Sequence, residues 1–348
     1  VLMPDEAQSR HFYPSDIRAA IMLAVQATRG VTGIVEGVHR SVSDTIGVPG
    51  STKPGKTNGI PGLVYQAIHG VARLVGSGAN ELLGRLEPEP GSPAEHPANS
   101  FERAAVVAAL NGVIGDHLVE NKNPLASEMH FRHQGKALDG QDSNAMDGAS
   151  GKVLLLIHGL CMNDLQWQQP ASGGHGEALA STHGYTPVYL RYNSGLHIAR
   201  NGLELSRQLE KLLAHWPVPV EELTIVAHSM GGLLARSAAH HAQQQSRGWV
   251  RHLKNIVFLG TPHHGAPLER GGSWMDLLMG ATPYTRPFTA LGRLRSAGVT
   301  DLRYGHVTGE GLHDEDRFAH RPDNRQVQPL PEGVACYTVA ASIAANKS

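Results

Sequence analysis

The chain has 348 residues, with 30 Lys and Arg against 31 Asp and Glu, a formal net charge of −1 and 41% hydrophobic residues. That length suits one large core with an appendage, and the near-zero charge leaves no electrostatic case for nucleic-acid binding. Cys161 and Cys336, far apart in sequence and each in or beside a predicted strand end, read as buried free thiols rather than a disulfide framework, and no apolar run reaches the roughly 18 residues of a membrane span. No secretory signal is visible, so the expectation is a cytoplasmic protein. Residue 1 is Val rather than Met, which leaves the natural start open.

Residues 1–128 read as helical. From Ile17 to Ile46, apolar residues recur at steps of three and four, the mark of one helix face. Pro49-Gly50 and Pro54-Gly55 break it. A second helix is predicted from about Pro61 to Leu86. The two share a faint repeat, Gln26-Ala27-x-x-Gly30-Val31 against Gln66-Ala67-x-x-Gly70-Val71. Residues 87–100 are rich in Pro, Glu and Ser and read as a linker. A third helix is predicted from Phe101 to about Glu120. These helices are read as packing elements. Peripheral membrane contact is the second reading, and the lack of a dense Lys/Arg face counts against it.

From residue 129 the pattern becomes strand and helix in alternation. Met129–His133 and Lys136–Leu138 read as a hairpin around Gly135, and 139–151 as a polar loop. Val153–Ile157 is a buried strand running into His158-Gly159-Leu160-Cys161, followed by the strand 186–193. A helix is predicted from about Asn201 to Trp216, stopped by Pro217 and Pro219. Apolar runs alternating with helices predict a mostly parallel sheet covered on both faces.

The sharpest signal follows. Leu223–Val226 is a buried strand, then comes Ala227-His228-Ser229-Met230-Gly231-Gly232, then a helix. A serine hydroxyl attacks a carbonyl only when it projects from the backbone and a base takes its proton. A tight strand-to-helix turn between small residues provides the projection, and the helix N-terminus offers free N–H groups to a developing oxyanion. A further strand ends in Gly260-Thr261-Pro262-His263-His264-Gly265.

These three motifs, in this order and spacing, resemble the α/β-hydrolase superfamily. The similarity is to bacterial lipase- and esterase-like members and the inositol-deacylase-like group, over residues 129–345. The pattern has Ala227 where glycine is more common. The resemblance implies Ser229 as nucleophile and the backbone N–H groups of Leu160 and Met230 as the oxyanion hole. It leaves His158 a structural histidine, because the base of such enzymes follows the nucleophile in the chain. In the family the acid follows the strand matching Ala335–Ala341 and the histidine comes one strand later, so the C-terminal part of the fold is expected beyond residue 348. Fallback acids and bases lie in 301–323: Asp301, His306, His313, Asp314, Asp316 and His320.

Residues 266–330 form a long insertion, read as a cap with Trp274, Met275, Leu277, Leu278 and Met279 as acyl-chain contacts or as an ordinary surface helix. The doublets His240-His241 and His263-His264 lack Asp, Glu or Cys at ligand spacing, and Asp314-Glu315-Asp316 reads as a solvated turn, so no metal is expected. The expected function is hydrolysis of a small-molecule or lipid carboxylic ester with an apolar acyl group, needing no cofactor. The alternatives are acyl transfer on the same fold and a non-catalytic binding module.

Overall fold

The computed structural model describes residues 101–138, 146–168, 174–265, 296–302, 305–308 and 328–340. The helices predicted over 17–46 and 61–86, the linker and most of the 266–330 insertion with its Trp274 patch lie outside the described residues.

Helix α1 (Phe101–Glu120) precedes the hairpin β1 (His130–His133) and β2 (Lys136–Ala137). Then follow β3 (Lys152–Ile157), α2 (His175–His183), β4 (Thr186–Arg191), α3 (Ile198–Ala214), β5 (Glu222–His228) and α4 (Met230–Gln244). β6 (Leu253–Leu259), α5 (Ala297–Leu302) and β7 (Ala335–Val339) complete the described elements. The strands form one sheet in the order β2-β1-β4-β3-β5-β6-β7. β1 is antiparallel to β2 and β4, and every other pair is parallel.

The local causes are legible. Gln134 and Gly135 both take positive φ, 47° and 78°, as a two-residue hairpin turn requires. β3 is central, with Val153 to Ile157 all at 1% exposure or less, which is why its sequence is an unbroken apolar run. α2 ends on Gly184 at φ 73°, whose N–H donates to the Ala180 carbonyl at 2.9 Å. α3 turns Leu205 and Leu209 inward, both fully buried. β7 edges the described sheet, with Tyr337 57% and Val339 53% exposed.

One boundary departs from the sequence expectation. α3 starts at Ile198, three residues before the predicted Asn201, because a cap arrives from elsewhere: the Ile198 N–H donates to Asp301 Oδ2 at 2.8 Å. α1 belongs to the same compact unit as the sheet and its loops. It is broken at Ile114 (φ −136°, ψ 24°).

Candidate active site

β5 ends at His228 and α4 begins at Met230, so Ser229 alone makes the strand-to-helix turn. It does so at φ 51°, ψ −122°, a conformation that non-glycine residues rarely take and that costs about 1–3 kcal/mol. The neighbours hold it there. The Ser229 N–H donates to the Leu259 carbonyl at 2.8 Å, and its carbonyl accepts the Gly232 N–H at 3.1 Å. Met230 opens α4, and first-turn amides of a helix have no intrahelical acceptor.

The small residues around the serine have steric work. A Cβ on Gly231 would stand 2.6 Å from the His158 carbonyl oxygen and 2.8 Å from that of Ile157, so the start of α4 lies directly against the end of β3. A Cβ on Gly159 would stand 3.1 Å from both Ser229 Cβ and His228 Nδ1. The His-Gly loop and the serine therefore lie against each other. Leu160, next in that loop, is buried at 3%.

His158 is built into the loop. Its Nδ1 lies 2.9 Å from the Gly159 carbonyl, and its ring stacks on Tyr192 with centroids 4.3 Å apart. The Tyr192 hydroxyl donates to the His158 carbonyl at 2.9 Å. Burial pushes the imidazole down from 6.5 to about 4, so it is neutral at pH 7. Beyond it the loop is tied to the sheet by Asp164, whose carboxylate meets Arg191 Nε at 2.5 Å and Arg132 Nε at 3.2 Å. His228 is held down by burial as well.

Among the described residues no imidazole hydrogen-bonds the Ser229 hydroxyl. Of the fallback acids and bases, Asp301 is 1% exposed and already engaged. It caps α3 and lies 3.0 and 3.2 Å from His197 Nδ1. His306 donates its backbone N–H to the Asp301 carbonyl at 3.0 Å. His313, Asp314, Asp316 and His320 lie outside the described residues. His263 stands 3.3 Å from Arg236 Nη1, and burial together with that guanidinium takes it down to about 4. It lines a cavity of about 330 Å³ with Arg236, Phe258, Cys336 and Thr338, and Ser229 is not among its walls. Among the described residues no three His, Cys, Asp or Glu side chains converge to hold a metal ion.

Sequence reasoning missed the Asp164–Arg191 clamp, the His197–Asp301 pair and the left-handed Cys161. The first two join residues 27 and 104 positions apart and have no local signature. Cys161 takes φ 58° in a position where glycine is the usual signal. Its thiol is pushed up to about 12 by burial.

Residues 148–286 match the model of the PGAP1-like alpha/beta domain. No curated protein matches the chain in sequence. Among solved structures, the mature lipase BlEst2 of Bacillus licheniformis is similar at 19% identity and TM-score 0.33, over 48% of this chain and 60% of that one. This chain thus spans less than two thirds of that lipase. A second similar structure is the C6-C4 SN3 inhibited esterase B of Lactobacillus rhamnosis, at 15% identity and TM-score 0.29 over 56% of this chain and 72% of that one. No described helix is long and apolar enough to cross a membrane. The described residues thus form a mostly parallel seven-stranded sheet with a serine on the turn between β5 and α4, and the stretch 148–286, which holds β3 to β6 and that turn, is similar to the PGAP1-like alpha/beta domain.

Proposed function

We propose that the protein is a serine hydrolase that cleaves carboxylic esters through an acyl-enzyme on Ser229. The observation that carries this reading is the backbone of Ser229, held at φ 51° on a strand-to-helix turn with the Gly159 loop against its side chain. A strained turn that lifts one hydroxyl out of the backbone has a use in nucleophilic catalysis and little in packing.

The proposed steps are those of acyl transfer to water. Ser229 Oγ attacks the ester carbonyl carbon while a histidine takes its proton. The carbonyl oxygen becomes an oxyanion, stabilised by the N–H groups of Met230 and Leu160. Collapse of the tetrahedral adduct expels the alcohol, which leaves with the proton from the histidine. Water then attacks the acyl-enzyme and releases the acid. His158 is not the base in this scheme, because its ring is stacked under the loop and its Nδ1 is bound to Gly159. The 330 Å³ cavity beside β6 and β7 is not assigned to substrate.

The test is labelling with a fluorophosphonate probe. Covalent labelling of the full chain at Ser229, abolished in Ser229→Ala, is the expected result. A folded protein that neither labels nor turns over p-nitrophenyl esters would replace this reading with a non-catalytic binding module.

A further inference from the structure

Helix α1 is more than a covering layer. Its inner face buries polar and small residues where an ordinary packing helix would place leucine: Asn111 at 1% exposure, Asp116 at 7%, and the glycines at 112 and 115. The two glycines each meet a loop that follows a parallel strand. A Cβ on Gly112 would overlap Cys161 Sγ and come within 2.9 Å of the Cys161 Cα and N, so the α1 backbone rests on the β3 loop one residue after Leu160. A Cβ on Gly115 would overlap the Asn193 side chain, in the loop after β4.

Hydrogen bonds fix the same contacts. The helix breaks at Ile114, and a break leaves carbonyls that need donors. Ser296 Oγ donates to the Gly112 carbonyl at 2.6 Å, and Asn193 Nδ2 donates to the Gly115 carbonyl at 3.0 Å. Asp116 Oδ2 accepts the Ala297 N–H at 3.0 Å. On the loop side, the Cys161 N–H donates to Ser194 Oγ at 3.1 Å. Cys161 is a non-glycine residue at φ 58°, a conformation that persists only where the surroundings impose it. The wall of α1 at Gly112 is one of those constraints.

We infer that α1 is a positioning element for the reaction: by seating Cys161 at Gly112 it fixes the Leu160 N–H against the turn that carries Ser229. This rests on the reading of Ser229 as nucleophile and of Leu160 as an oxyanion donor. The residue to vary is Gly112, which touches neither the serine nor a substrate. The coupling runs from Gly112 to Cys161, from Cys161 to Leu160, and from Leu160 to the developing oxyanion.

The test is Gly112→Ala in the full chain, with p-nitrophenyl butyrate turnover and the fluorophosphonate labelling rate as readouts. The added methyl would overlap Cys161 Sγ first and crowd its backbone less, so Cys161 must shift, and a misplacement of about 1 Å costs about 10²-fold in rate. The expected result is a fall in kcat of about that size with KM within about twofold, and a matching fall in labelling rate. Cys161→Gly in the same background removes the sulfur and suits the left-handed backbone, and it is expected to restore kcat about tenfold or more. Ser296→Ala, which frees the Gly112 carbonyl without touching the loop, is expected to lower kcat several-fold in the same direction, and it decides the matter should Gly112→Ala not fold. Wild-type kcat and labelling in Gly112→Ala, or in Ser296→Ala where it stands in, would overturn the inference while leaving the hydrolase reading intact. So would a loss that Cys161→Gly does not relieve. A parent protein that does not label would overturn the hydrolase reading, and this one with it.

Discussion

Asp301 closes the N-terminus of α3: its Oδ2 accepts the Ile198 N–H at 2.8 Å across 103 positions of sequence. The carboxylate also holds His197 Nδ1, so a single buried group satisfies a helix end and orients an imidazole. Helix ends leave N–H groups unpaired, and an acidic acceptor there also meets the positive end of the helix dipole. Asp301→Ala is therefore expected to lower stability by about 1–3 kcal/mol, through the lost cap and the stranded His197 contact. Urea denaturation reads this as a lower midpoint at unchanged slope. A midpoint equal to that of the parent would show that water caps α3 equally well.

Asp164 makes a similar claim on the β3 loop. Its side chain is 1% exposed, and its partners Arg132 and Arg191 are 13% and 16% exposed. Removing one member of a buried pair leaves the other charge uncompensated. Because the two guanidinium groups keep some contact with water, Asp164→Asn is expected to cost about 2–3 kcal/mol, below the upper range for fully buried pairs. The loop it anchors carries Leu160, so the fluorophosphonate labelling rate should fall with stability. Unchanged stability by urea titration would mean that Tyr192, through its bond to the His158 carbonyl, holds the loop unaided.

Gly159 and Gly231 differ in a way that a pair of alanine variants can separate. At Gly231 the new methyl would meet two β3 carbonyls at 2.6 and 2.8 Å, atoms fixed in the central strand of the sheet. Gly231→Ala is expected to destabilise by about 1–3 kcal/mol, and the labelling of Ser229 should fall with it. At Gly159 the nearest atoms are at 3.1 Å and belong to the Ser229 and His228 side chains, which can give way slightly. Gly159→Ala should hold its melting temperature within a few degrees and lose ester turnover by about tenfold or more, because the serine is what moves. Equal melting temperatures for the two variants would contradict this ranking.

The strands were legible from sequence because of where they sit. Val153–Ile157 and Leu223–Ala227 are central and parallel, covered on both faces, and so appear as unbroken apolar runs. Ser229 was legible because a strained turn demands small neighbours, and Ala227 and Gly231 flank it. What the sequence hid is tertiary. The start of α3 moved because Asp301 supplies the cap from α5, and nothing near Asn201 announces it. The seat of α1 was hidden because nothing in the sequence around Gly112 and Gly115 shows that Cys161 and Asn193 lie against them. His197 drew no notice in the sequence, since a histidine before a helix is unremarkable until a buried carboxylate 104 residues later meets it.

Acid should destabilise the fold through His158. Buried, it titrates near 4 instead of 6.5, because the charged form loses its hydration under the loop. Above about pH 7 the ring is neutral in both folded and unfolded chains and contributes no pH dependence. As pH falls through 6.5 the unfolded chain takes up a proton that the folded one refuses, so stability declines, and the decline levels off below about pH 4 once both forms are charged. A displacement from 6.5 to about 4 corresponds to about 3 kcal/mol across that window. His263 is lowered in the same direction by burial and by Arg236, and adds to the loss. The comparison to make is His158→Asn, whose side-chain amide can still reach the Gly159 carbonyl but does not titrate. It should be less stable than the parent at pH 8, having lost the stack on Tyr192, yet show a shallower decline in urea midpoint between pH 7 and pH 5. Parallel declines in the two proteins would mean that His158 is not the group through which acid acts.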